Sequence, residues 1–272
     1  MEKYEFDWRR IFAEDGYHIE YSITDACDRN CASCSHLAPL ATRPNFVSVE
    51  EFERTVGIIH GLIPDAHTFW LTGGEPTLHP HYLRLLGILR SIRPDGYVGI
   101  YSNGRSLKRR ERDEEFWRFM RESGIVWAIT NYDIPRDYFE RLFSEHGCGD
   151  NLAVIRSGKT FIKLTNYSRD QPISEEKYVA CGWERSKINI RNGRIYNCPS
   201  AEFADLFNDY FGENLRVTAD DFLTVNGELT RRKIEEFRGA TPFCGQCDPS
   251  KRLGKIFGNV PSRKDKSEWS EF

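Results

Sequence analysis

Along the first half of this chain, apolar positions switch repeatedly between a period of two and helical spacing. The run His18-Ile19-Glu20-Tyr21-Ser22-Ile23-Thr24 alternates and predicts a strand, whereas Val49 to Leu62 is spaced as a helix with Pro64 beyond its end. The exchange then recurs. Thr68-Phe69-Trp70-Leu71-Thr72 predicts a strand and His79 to Leu89 a helix; Tyr97-Val98-Gly99-Ile100-Tyr101 precedes the helix Asp113 to Glu122. Val126-Trp127-Ala128-Ile129-Thr130, a helix from about Arg136 to His146, and Leu152-Ala153-Val154-Ile155 complete the series. Such strand-helix units predict a mostly parallel sheet covered by helices. Beyond about Phe161 the pattern changes. Phe161-Ile162-Lys163-Leu164 reads as a last barrel strand or a connection, and Ile188 to Tyr196 as a hairpin, because Asn192-Gly193 separates two β-like runs. A mixed region follows, then a tight Cys244-Gly245-Gln246-Cys247 turn, and Pro261 to Phe272 reads as a polar, loose tail.

Composition narrows the class. With 272 residues, 39% of them hydrophobic, the chain can build one sizeable core with an appended subdomain, or two small domains. A net charge of -3 offers no footprint for nucleic acid. The basic run Lys108-Arg109-Arg110 with Arg112 is followed by Asp113-Glu114-Glu115 and reads as a solvated helix start. No apolar signal segment opens the sequence and no stretch approaches about eighteen apolar residues, so a cytoplasmic protein without a membrane anchor is expected. The eight cysteines fall in metal-ligand spacings rather than a disulfide framework.

Candidate chemistry falls at strand ends. Cys27, Gly73, Ser102 and Asn131 each follow one of the first four strands, which gathers them on one face of a parallel sheet. Cys27, Cys31 and Cys34 place three thiolates in one loop, enough to hold three irons of a [4Fe-4S] cube and leave the fourth open. Structural zinc would want a fourth ligand, which His36 could supply. In Gly73-Gly74-Glu75-Pro76 the glycines permit close backbone approach to a ligand, and Glu75 suits an ammonium group; alone, the segment is equally a turn before a helix. Cys181, Cys198, Cys244 and Cys247 form a second set that would complete a cube or satisfy structural zinc.

Three elements in this order resemble the radical S-adenosylmethionine superfamily: Cys27-Asp28-Arg29-Asn30-Cys31-Ala32-Ser33-Cys34, Gly73-Gly74-Glu75-Pro76, and Tyr101-Ser102-Asn103-Gly104. The resemblance spans about residues 17 to 160. It implies an α/β fold, a partial (β/α)6 TIM-like barrel. Cys27, Cys31 and Cys34 would ligate the cluster whose open iron is chelated by S-adenosyl-L-methionine. Gly73, Gly74, Glu75 and Pro76 would meet the methionine amino group, while Ser102, Asn103 and Asn131 would face the ribose, the carboxylate or the substrate. One departure stands out. The residue before the last cysteine is bulky in the family and lies near the adenine, whereas here it is Ser33, leaving that space to His36 or another side chain.

The second set resembles a twitch module, a shortened SPASM domain with one auxiliary cluster. The implied division is an extension over 1–16, the radical SAM partial barrel over 17–168, a twitch domain containing the β-hairpin over 169–260, and the polar tail over 261–272. Two [4Fe-4S] clusters and S-adenosyl-L-methionine are the implied cofactors. A polar small-molecule substrate and a flavodoxin or ferredoxin-type reductant are the implied partners. The spacing is similar to that of twitch-bearing dehydrogenases that oxidise aminocyclitol alcohols, so hydrogen-atom abstraction from an alcohol carbon, with the auxiliary cluster taking an electron, is the expected reaction. Epimerisation or dehydration of a sugar-like or nucleotide-linked substrate, and peptide maturation, are the alternatives.

Late in the barrel, Arg156, Lys163 and Tyr167 are placed to meet a polar substrate. Cys148 could return a hydrogen atom in an epimerase, but it precedes the strand at Leu152 and so belongs to the opposite face, as a buried thiol. Trp70 and Trp127 read as core, and His79 and His81 as capping or surface residues.

Overall fold

The computed structural model describes residues 16–155, 160–181, 187–251, 255–257 and 260–272. Strands β1 (His18–Thr24), β2 (Thr68–Gly73), β3 (Tyr97–Ser102), β4 (Val126–Thr130) and β5 (Leu152–Ile155) pair side by side in parallel. Helices α1 (Val49–Leu62), α2 (Tyr82–Ile92), α3 (Glu114–Ser123) and α4 (Arg136–Glu145) connect them. Local sequence sets the helix ends. Ser48 caps α1 by accepting from Glu51 N (3.1 Å), and Asp113 caps α3 by accepting from Phe116 N (3.0 Å). Gly124, at φ 59°, ends α3 in the left-handed conformation that glycine adopts freely. The expected helix start at His79 moves to Tyr82. Pro80 disfavours helical geometry at the residue before it, and a short turn over Pro76–Leu78 intervenes.

The alternation read in β1 is a division between two faces. Ile19, Tyr21 and Ile23 pack with Phe52, Val56 and Ile59 of α1, while Glu20 and Ser22 belong to the opposite face. Trp127 is fully buried among the helices, where its indole N–H meets Met120 Sδ (3.0 Å). Trp70 is also buried, but it lies across Gly99, where an added Cβ would stand 2.0 Å from its ring, and beside Tyr101 at 4.8 Å between ring centroids.

The sheet continues beyond the expected barrel boundary. β7 (Lys187–Arg191) pairs in parallel with β1, and β8 (Arg194–Tyr196) and β9 (Phe222–Thr224) extend the sheet antiparallel. Among the described residues the result is an eight-stranded mixed sheet, order β5-β4-β3-β2-β1-β7-β8-β9, flanked by helices as in a partial (β/α) barrel. Asn192 and Gly193 join β7 to β8 at φ 52° and 65°, the geometry that matches the twist of paired antiparallel strands. The run read as a last barrel strand or a connection lies outside the large sheet: β6 (Thr160–Ile162) pairs with β10 (Lys255–Phe257) in a separate two-stranded sheet. The position beside β1 is taken by β7, whose Ile188 and Ile190 join the helix-facing core.

Helices α5 (Glu175–Cys181), α6 (Pro199–Glu202), α7 (Ala204–Phe211) and α8 (Arg231–Glu236) complete the second half. A second core gathers Leu37 and Leu40 from the loop after the first cysteine set, Tyr167, Phe203, Phe207 and Phe243, and Trp269. The segment expected as a loose tail is therefore docked, because Trp269 has no exposed surface. Among the described residues no helix is long and apolar enough to cross a membrane.

Candidate active site and its two cysteine sets

β1 delivers its chain directly into the loop that carries Cys27, Cys31 and Cys34. Two contacts with β2 hold that exit. Gly73, at φ 138°, leaves no room for a Cβ, which would lie 2.2 Å from Thr24 O; at Gly74 the same atom would lie 2.3 Å from Ala26 O. The glycines thus permit close approach of the chain's own backbone. Gly74 N donates to Thr24 O (2.8 Å) and Glu75 N to Ala26 O (2.6 Å).

Glu75 is buried and serves as a hub. Its Oε1 accepts from Ser102 Oγ (2.9 Å), Thr77 Oγ1 (2.6 Å) and Thr77 N (3.2 Å), and its Oε2 from Asn103 N (2.7 Å). Burial raises its pKa despite these hydrogen bonds. Asn103 reaches on through Nδ2 to Asp28 Oδ1 (2.6 Å). Glu75, Ser102 and Asn103 are therefore joined to one another and to the cysteine loop. Pro76 opens the short turn after Glu75 and is buried, and Asn131 follows β4 in a half-buried position.

Several members of this site were not singled out in the sequence. Arg105 donates to Asp28 O (2.9 Å) and pairs with Asp133 (2.7 Å), which also pairs with Arg29 (2.9 Å). Arg29 stacks over Tyr132 at 4.1 Å, and Tyr132 lies close enough to the thiols for all three to raise its pKa, after burial. Their sequence signal was adjacency: each lies within three residues of a motif or strand end already noted. Arg191 is the other member. It is buried, makes paired contacts with Asp25 (3.0 Å each), and also meets Asp205 (2.9 and 3.0 Å), tying β7 to the exit of β1.

The thiols suit thiolate ligands of a cluster, since backbone N–H groups point at them. Arg29 N lies 3.4 Å from Cys27 Sγ, and the backbone of Ala38, His36 and Leu37 serves Cys34. Burial nonetheless pushes the Cys34 thiol up to about 11 and raises Cys27 as well, so a cationic centre would be needed to hold both as thiolates. His36 turns toward Phe203, 5.1 Å between ring centroids, and the Gly73 backbone. Ser33 Oγ donates to Glu268 O (2.8 Å).

Cys181, Cys198 and the Cys244–Cys247 turn come from three places in the sequence and line one cavity, together with Lys177, Tyr178 and Phe243. Cys198 is raised well above the usual thiol range, by burial first and then by the other three thiols facing it. No disulfide joins any of the eight cysteines. Among the described residues no three His, Cys, Asp or Glu side chains are arranged closely enough to hold a metal ion.

The remaining candidates have structural partners. Lys163 is buried and donates to Ser267 O (2.8 Å) and Ser270 O (3.4 Å); Tyr167 is buried and donates to Ser200 O (2.9 Å). Cys148 is fully buried, 3.5 Å from His146 O and 3.8 Å from Trp117 O. His79 is buried too, with Nε2 2.8 Å from Val47 O. Arg156 lies outside the described residues.

A sequence profile described as the Radical SAM superfamily matches residues 21–159, more than half of the chain. The chain belongs to the radical SAM superfamily. The radical SAM match takes in the three-cysteine loop, the Gly73-Gly74-Glu75-Pro76 segment and the Ser102-Asn103 strand end. The chain is 29% identical over 130 residues to GTP 3',8-cyclase of Mannheimia succiniciproducens, covering 47% of this chain and 37% of the cyclase. It thus spans little more than a third of that curated relative. Among solved structures, BtrN in complex with AdoMet and 2-DOIA aligns with 86% of this chain and 94% of its own, at 12% identity and a TM-score of 0.52. BtrN in an open conformation aligns with 89% and 99%, at 12% identity and a TM-score of 0.47. The first of these is a likeness of fold.

Proposed function

We propose that this radical SAM enzyme is an oxidoreductase that removes a hydrogen atom from a polar small molecule, a sugar or aminocyclitol alcohol, and passes an electron to an auxiliary [4Fe-4S] cluster. The observation that carries the reading is the convergence of Cys181, Cys198, Cys244 and Cys247 on one cavity, separate from the three-cysteine loop. Four thiolates leave a cube no open position, which suits electron transfer, whereas three leave one. Cys27, Cys31 and Cys34 would hold the cluster that binds S-adenosylmethionine. When bound, cluster and cofactor supply the 5'-deoxyadenosyl radical, with the electron coming from a flavodoxin or ferredoxin-type donor.

The chain's own residues position and confine that chemistry. Glu75 holds the ends of β2 and β3 together through Ser102 and Asn103, fixing the wall beside the cysteine loop. Asp28, Arg105, Asp133 and Arg29 close the loop's outer side. The non-helical face of β1 and β7 carries Glu20, Ser22, Asn189 and Arg191, a polar wall held by its own contacts: Ser22 donates to Glu202 Oε1 (2.6 Å), Glu20 pairs with Lys187 (3.4 Å) and Arg191 meets Asp25 and Asp205. Oxidation of the alcohol carbon then requires loss of one hydrogen atom, one proton and one electron, giving a ketone. The likeness of fold to BtrN, whose solved complex holds 2-DOIA, supports an aminocyclitol among the compounds to try first.

The test is 5'-deoxyadenosine release by anaerobically reconstituted enzyme, with reductant and S-adenosylmethionine, against a pool of aminocyclitols, sugars and nucleotides. Substrate-dependent release with a product lighter by two hydrogens is the expected result. Release with an unchanged product mass would replace oxidation by epimerisation, and no release from iron-replete protein would remove the reading.

A further inference from the structure

Residues 260–272 lie across the three-cysteine loop. Ala32 N donates to Val260 O (3.1 Å) and Ser262 N to Asn30 O (2.8 Å). Glu268 then meets Ser33 twice: Ser33 N donates to its Oε2 (3.2 Å), and Ser33 Oγ donates to its backbone O (2.8 Å). Trp269 donates its indole N–H to Cys34 O (2.9 Å). Ser33 needs this support, because its φ of 52° lies in the left-handed region that side chains with a Cβ disfavour. A small hydroxyl-bearing residue fits the contact, since Ser33 is buried and its side chain is spent on Glu268.

The same segment reaches the second cysteine set. Tyr167 N donates to Trp269 O (2.7 Å), and Tyr167 bridges on to Cys247. From Cys34 to Cys247 the connection passes through only Trp269 and Tyr167.

We propose that Glu268 and Trp269 are positioning residues, which fix Ser33 and Cys34 of the three-cysteine loop and set that loop against the second set through Tyr167. The proposal rests on the reading that Cys27, Cys31 and Cys34 hold the S-adenosylmethionine-binding cluster. These hydrogen bonds are directional and end on atoms of the ligand loop, so their loss is separable from loss of packing. They hold Ser33 and Cys34 as outer hydrogen-bond partners hold and orient metal ligands elsewhere.

The experiment compares anaerobically reconstituted wild type with Glu268→Ala, Glu268→Gln and Trp269→Phe. Phenylalanine keeps the ring in its core but removes the N–H, and glutamine keeps one acceptor oxygen where the carboxylate uses two, Oε2 for Ser33 N and Oε1 for Arg263 N (2.8 Å) and Asp265 N (3.4 Å). Electron paramagnetic resonance of the reduced protein, titrated with S-adenosylmethionine, reads the first cluster; absorbance bleaching in air reads its protection. Glu268→Ala and Trp269→Phe are expected to weaken the S-adenosylmethionine-induced signal change and to bleach several-fold faster, with the second-set signal retained and Glu268→Gln between Glu268→Ala and wild type. Wild-type titration and bleaching in both Glu268→Ala and Trp269→Phe would overturn the proposal. A protein with Cys27, Cys31 and Cys34 all changed to alanine separates the underlying reading: if it keeps the wild-type response to S-adenosylmethionine, that reading fails first.

Discussion

Glu75 shows how one side chain can carry more structure than its motif suggests. Its carboxylate collects donors from Thr77, Ser102 and Asn103, so Glu75→Ala leaves several buried donors without an acceptor, each costing about 1–3 kcal/mol. Glu75→Ala should lower the thermal midpoint by several degrees and reduce 5'-deoxyadenosine release more than tenfold; a midpoint equal to wild type would contradict the hub role. His18, at the other end of β1, governs a pH response. It is buried, with Nδ1 3.0 Å from Thr68 Oγ1, and burial first, then His67 and Lys187, lower its pKa to about 4 from 6.5. The fold favours neutral His18, so its contribution is complete above pH 6.5 and is lost as pH falls toward 4, up to roughly 3 kcal/mol. Melting curves from pH 7.5 to 5 should fall less steeply for His18→Gln than for wild type. Parallel curves would show that His18 titrates normally.

At the scale of elements, the join between β1 and β7 has the largest consequence. It makes a strand from the second half part of the wall next to the cysteine loop, and Arg191 locks it there through Asp25, two residues before Cys27. Arg191→Met removes one partner from a buried pair and leaves Asp25 uncompensated, a change that costs about 3–5 kcal/mol. Denaturation of Arg191→Met should show that loss, and reconstitution should give less iron at the first cysteine set. An unchanged midpoint would mean that β7 is held by its backbone pairing alone. The two-residue turn itself was legible, because Asn-Gly between β-like runs is a strong local signal. Its placement beside β1 was not, because strand pairing order depends on which apolar face completes the core.

For the whole molecule, two cysteine sets in separate places predict separable losses. Changing Cys27, Cys31 and Cys34 to alanine should remove about half of the reconstituted iron and abolish 5'-deoxyadenosine formation. Changing Cys181 and Cys198 should remove a similar share of iron but leave cofactor cleavage measurable, while product formation is lost. Iron analysis beside product assays checks both, and cleavage lost equally in the two variants would argue against distinct roles. The shared core, in which Leu37 and Leu40 pack with Phe203, Phe207 and Trp269, leads us to expect one unfolding transition rather than two.

What the sequence determined by itself is what depends on neighbours along the chain. The alternating and helical periods located β1 to β5 and α1 to α4, with an offset at α2 caused by Pro80, and the cysteine spacings with Gly73-Gly74-Glu75 marked candidate residues at strand ends. Tertiary structure decided what depends on distant partners. It placed β7 beside β1, paired β6 with β10, and converged four scattered cysteines on one cavity. It also turned a polar segment with a single tryptophan into a docked strap over Ser33 and Cys34. Periodicity records which face of an element is apolar, but burial of that face can be completed by any suitable partner, and only the folded chain selects one.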